Sequence, residues 1–147
     1  MIKLFSPLMW WIRVKNKIHN INVIAKEKLP SPKALKETLP LTSKARKTVL
    51  AKRKELMRIL DGNDSRLVVV VGPCSIHDTN LAKDYALRLK ELSKELEDSF
   101  LVLMRVYFEK PRTTTGWKGL INDPNIDDTF QIDKGIHIAR SLLIDLN

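Results

Sequence analysis

The sequence of 147 residues is poor in cysteine: Cys74 is the only one. A single thiol excludes an internal disulfide framework and suits a reducing compartment. Long apolar runs are missing too. The stretch over residues 4–12 lies between Lys3 and Arg13, well short of the roughly 20 apolar residues that cross a bilayer. It also lacks a small-residue cleavage site, which argues against a signal peptide. A cytoplasmic protein with no membrane partner is expected. Acidic residues are scarce in one region only. Residues 1–60 carry 15 Lys/Arg and 3 Asp/Glu, whereas residues 61–147 carry 11 and 14. Such a basic arm suits nucleic acid, anionic lipid or an anionic substrate, but is more often a solvated helical face. No internal repeat or low-complexity tract is evident.

What is present describes a globular chain. Apolar residues make up 44% and charged residues 29%, the balance of a soluble domain rather than a disordered one. Residues 29–40 hold three of the seven prolines, so they read as a connecting arm with at most a short helix. From Ser43, expected as the cap, helical spacing of Val49, Leu50, Leu56, Met57 and Leu60 predicts a helix. It ends at Gly62 in a left-handed turn. Residues 67–71, a leucine and four valines, form an unalternating apolar run. That pattern predicts a strand buried on both faces. Asp78 or Thr79 is expected to cap a second long helix with Ala82, Tyr85, Ala86, Leu89, Leu92 and Leu96 on one stripe. A second buried strand is predicted over residues 100–108, followed by a long loop to about Asn125. A last helix carries Ile132, Gly135, Ile136, Ala139, Leu142, Leu143 and Leu146. Strand–helix alternation with apolar strands predicts an α/β fold with a parallel sheet.

In such folds chemistry gathers at the C-terminal ends of the strands, and both unusual segments fall there. The first is Gly72-Pro73-Cys74-Ser75-Ile76-His77-Asp78. Cys74 reads as a ligand for a borderline metal, as a nucleophile, or as an inert small hydrophobe. His77 reads as its companion or as an ordinary loop histidine. The second segment runs from Arg105 through Lys110, Arg112, Thr113, Thr114 and Thr115 to Gly119. An arginine entering an apolar strand calls for an anionic partner, which a carboxylate such as Glu109 would supply. Alternatively Arg105, Lys110, Arg112 and the threonines are donors for phosphate. The glycine spacing of a Walker loop or dinucleotide fingerprint is absent.

These two segments, with the continuation Trp117-Lys118-Gly119-Leu120-Ile121-Asn122-Asp123-Pro124, resemble the type I 3-deoxy-arabino-heptulosonate 7-phosphate (DAHP) synthases of bacteria and fungi. The likeness runs from about Asn22 to the end of the chain. It divides the sequence into an unmatched segment 1–21, an N-terminal extension 22–65 and the start of a barrel, 66–147. The resemblance implies a (β/α)8 TIM barrel with a helical extension, here truncated after its first two β/α units. It implies condensation of phosphoenolpyruvate with erythrose 4-phosphate, releasing phosphate, at the head of the shikimate pathway. It implies Cys74 as a ligand of a divalent metal (manganese, iron, cobalt or zinc) and Lys110 as catalytic. Arg105 and Lys110 would meet phosphoenolpyruvate, Arg112 and Thr113 the phosphate of the aldose. Homo-oligomerisation is implied as well. The Lys110-Pro111-Arg112-Thr113 segment favours this family over the related 3-deoxy-octulosonate 8-phosphate synthases. Two strands of eight and one metal ligand lead to the expectation of an inactive N-terminal portion. The rival expectations are a remnant that docks onto an intact synthase and a small basic nucleic-acid binder.

Overall fold

The computed structural model describes residues 27–110 and 116–147. The proline arm holds one short helix, α1 (Pro32–Thr38), with Ser31 as its N-cap and proline at its start. Proline fits there because the first-turn N–H groups have no helical acceptor. Helix α2 (Ser43–Leu60) is capped by Thr42, whose hydroxyl accepts from Ala45 N at 3.1 Å. The cap therefore lies one residue earlier than expected, and Ser43 is the first helical residue. At its other end Gly62 takes φ +74°. Gly62 N donates to Ile59 O and Asn63 N to Arg58 O, so both bonds of a Schellman stop are made.

Among the described residues the sheet has two strands, β1 (Leu67–Val71) and β2 (Phe100–Met104), parallel, with Leu67 opposite Phe100 and Val71 opposite Met104. Helix α3 (Thr79–Glu95) makes the crossover between them, and α4 (Ile132–Asp145) follows β2 after the long loop. Asp78 caps α3 as expected, accepting from Asn80 N and Leu81 N. The second strand is shorter than predicted. Its ladder runs to Met104, with one more bond from Arg105 N to Val71 O, because β1 gives way to Gly72 and to Pro73, which has no N–H. Nor are the strands buried on both faces. Leu67 is 64% and Val70 62% exposed. These two positions, three apart, point to opposite faces, so each face of β1 is partly open among the described residues.

The core sits at the C-terminal end of the strands. Ile76, Ala82, Leu120 and Leu142 are buried together, with Val106, Phe108, Trp117, Ile138 and Leu146 packed around them. In α3 only the N-terminal Ala82 of the expected stripe is buried, while Tyr85, Leu92 and Leu96 are partly exposed. In α4 Gly135, Ala139 and Leu142 face inward, and Leu143 does not. The arm is tied to this body by Arg140 Nε to Leu39 O (2.8 Å), and α2 by Thr48 Oγ1 to Asn147 O (2.7 Å). At the opposite pole Arg66 bridges Asp64 (2.9 Å) and Glu55 of α2 (3.2 Å).

Candidate functional site at the strand ends

Two segments leave the sheet at the same end and are stitched together there. Gly72 makes the first close approach possible: a Cβ on it would lie 2.4 Å from Arg105 O. Next, Ile76 N donates to Tyr107 O at 2.8 Å, which draws the turn over residues 72–78 alongside residues 105–108. Beyond Phe108 the chain doubles back. Glu109 pairs with Gly119 in an antiparallel bridge, Lys110 N donates to Lys118 O, and Leu120 N donates to Phe108 O. The loop that looked structureless thus has a built base. Gly119 is required in it, since it takes φ +111° and its Cβ would fall 2.2 Å from Phe108 O.

This stitching brings together Cys74, Arg105 and Lys110. Lys110 Nζ donates to Cys74 Sγ at 2.9 Å. Arg105 is solvent-exposed. Its Nη2 reaches Cys74 O at 3.4 Å, and its guanidinium carbon lies 4.9 Å from the centre of the Tyr107 ring. The carboxylate expected beside it is engaged elsewhere: Glu109 accepts from Asn122 Nδ2 at 2.9 Å. An exposed guanidinium placed on an aromatic face and a backbone carbonyl does not need a protein carboxylate. Arg112 and Thr113 lie outside the described residues. His77 is exposed.

Two residues that sequence reasoning passed over support this end of the molecule. Trp117 Nε1 donates to Asp123 O at 2.7 Å. Asp123 is buried, and its carboxylate accepts from the N–H groups of Asp127 and Asp128. It anchors a turn in which Ile126, Asp128 and Phe130 all take positive φ. The signal was a short polar run, Asn122-Asp123-Pro124, whose burial no local pattern announces.

Among the described residues no group of three or more His, Cys, Asp or Glu side chains is gathered as a metal would need. Cys74 offers one soft donor, and one donor does not hold a metal ion. No helix among the described residues is long and apolar enough to cross a membrane.

The geometry defines a class: a parallel α/β chain that presents a thiol and two cationic side chains at the C-terminal ends of neighbouring strands. The chain belongs to the DAHP synthetase I family, which its residues 37–145 match. The Phe-sensitive phospho-2-dehydro-3-deoxyheptonate aldolase of Escherichia coli K12 is 60% identical over 122 residues, covering 83% of this chain and 35% of that protein. The phospho-2-dehydro-3-deoxyheptonate aldolase of Corynebacterium glutamicum is 52% identical over 127 residues, 86% of this chain and 35% of its own length. Among solved structures, the phospho-2-dehydro-3-deoxyheptonate aldolase of Francisella tularensis SCHU S4 superposes with a TM-score of 0.81 at 50% identity. That match covers 85% of this chain and 37% of the other. The chain therefore spans little more than a third of the length of these relatives.

Proposed function

We propose that this chain carries the phosphoenolpyruvate-facing wall of a DAHP synthase, which condenses phosphoenolpyruvate with erythrose 4-phosphate and releases phosphate. Supporting this is the convergence of Arg105 and Lys110 on Cys74 in a member of that family. Two phosphorylated substrates repel each other, and fixed cations are what holds them in reacting geometry. Arg105 would grip a carboxylate or phosphate with its planar fork, and Lys110 would act as a mobile point charge beside it. Arg112 and Thr113 are assigned to the phosphate of the aldose. On this reading β1 and β2 are the first two strands of a (β/α)8 barrel. Residues 22–65 form its extension and residues 66–147 its start, in a cytoplasmic homo-oligomer. Cys74 is assigned as one ligand of a divalent metal, which would supply polarisation of the aldehyde. The described donors do not make that site by themselves, so no step is derived through it.

The test is titration of phosphoenolpyruvate into the 147-residue chain, followed by isothermal calorimetry. Arg105→Ala is expected to weaken binding roughly tenfold, equivalent to about 1.4 kcal/mol. Equal affinity for sulfate, or no change in Arg105→Ala, would overturn the assignment. With both substrates and manganese the chain alone is expected to form no heptulosonate. Turnover of roughly 1 per second or more, within the ordinary enzyme range, would contradict that.

A further inference from the structure

The contact between Cys74 and Lys110 has a chemistry that needs neither metal nor substrate. Cys74 is an exposed residue, and Lys110 Nζ lies 2.9 Å from its sulfur. The two residues are 36 positions apart in sequence, so the contact is a product of the fold. The bonds from Ile76 N to Tyr107 O and from Lys110 N to Lys118 O hold the two segments in place. Moreover, the sequence contains no second cysteine. Within these residues the nitrogen nucleophile beside an oxidised Cys74 is the Lys110 amine.

We propose that mild oxidation by a peroxide converts Cys74 and Lys110 into a covalent sulfur–nitrogen crosslink. In the first step the thiol sulfur attacks one peroxide oxygen. The S–O bond forms and the O–O bond breaks. Sulfur is oxidised by two electrons, the peroxide is reduced, and one water leaves, giving the sulfenic acid. In the second step the Lys110 amine, held 2.9 Å from the sulfur, attacks it. The S–N bond forms, the S–O bond breaks, and the departing hydroxyl takes a proton from nitrogen as a second water. Thiol, amine and hydrogen peroxide thus become sulfenamide and two waters. Sulfenic acids condense in this way with a backbone nitrogen, and here the fold supplies a side-chain amine in the proximity that makes such a step effectively unimolecular. The crosslink removes one cation and the thiol from the strand ends at once and joins the two segments. Exogenous thiol reverses it: one equivalent attacks sulfur and frees the amine, and a second reduces the resulting mixed disulfide. Cys74 is thereby protected from irreversible oxidation.

The full chain is treated with hydrogen peroxide at low molar excess, digested and examined by mass spectrometry, with dimedone present in a parallel sample. Peptides containing Cys74 and Lys110 are expected to be joined, lighter than their sum by two hydrogens and separated again by dithiothreitol. Lys110→Arg is expected to abolish the link and to raise sulfinic acid at Cys74. Unfolding in concentrated urea before oxidation is expected to lower the yield roughly tenfold or more, because proximity is lost. Dimedone-trapped Cys74 without any linked peptide would overturn the proposal. So would an equal yield in urea, a linked pair that retains an oxygen atom, or a product dominated by intermolecular disulfide.

Discussion

Gly135 lies in the first turn of α4, on its buried face, and replacing it with alanine separates helix propensity from packing. In an exposed helix interior Gly→Ala is worth about 0.8–1 kcal/mol of added stability. Here the new Cβ would sit 2.1 Å from Ile121 O, 2.7 Å from Ile121 C and 2.8 Å from its Cα, where ordinary contact begins at 3.4 Å. All three atoms are backbone, so no rotamer change relieves the clash. Either α4 or the loop carrying Ile121 must move by more than an ångström, and Ala139 and Leu142 on the same face would lose their burial with it. Overpacking of this kind costs about 1–3 kcal/mol before lost burial is counted. Gly135→Ala should therefore be destabilising by about 1–2 kcal/mol net, opposite in sign to its propensity. Urea unfolding is the assay. With m of about 1–3 kcal/mol/M for a chain of this size, the midpoint should fall by roughly 1 M. Ser141→Ala, on the exposed side of the same helix, is the control and should be neutral or slightly stabilising. If Gly135→Ala raised the midpoint as propensity alone demands, the packing of α4 against the Ile121 backbone would be wrong.

Three further outcomes are expected. Hydrogen bonds from Arg66 hold the Asp64 carboxyl down at about 2, against an ordinary 3.8. A folded value below the unfolded one stabilises above the unfolded value and is lost as pH falls through the folded one. Asp64→Asn should therefore lower the urea midpoint at pH 6, with the gap to the parent narrowing from about pH 4 to pH 2; a gap independent of pH would refute the pairing. Thr42→Ala should cost about 1 kcal/mol as a lost cap while Ser43→Ala stays near neutral, and the reverse order would return the cap to Ser43. Gly119→Ala meets both a positive φ and a carbonyl, so it should destabilise by more than about 1 kcal/mol. It should also remove hydrogen-exchange protection at Leu120 N, the donor to Phe108 O; protection equal to the parent's would show that the doubled-back loop is not held there.

The element order was legible because it is written in local terms. Gly62 stops α2 and Asp78 starts α3 through bonds to residues within a few positions, and the valine run has no helical period. Burial was less legible, because an apolar run states what a strand tolerates and not what covers it. Residues 67–71 read as a two-sided core strand, yet Leu67 and Val70 face outward among the described residues. The site divides along the same line. Cys74, Arg105 and Lys110 were identifiable singly by residue type and by position after a strand. Their meeting depended on bonds between segments some thirty residues apart, from Ile76 to Tyr107 and from Cys74 to Arg105. No period or spacing encodes such bonds. Arg105 shows the physical reason most plainly. Sequence logic sought a carboxylate because it took the guanidinium to be buried. Once the side chain is exposed, a carbonyl and a ring face suffice, and no carboxylate is required. The same exposure that invalidates the buried ion pair is what makes the phosphate-binding reading physically reasonable.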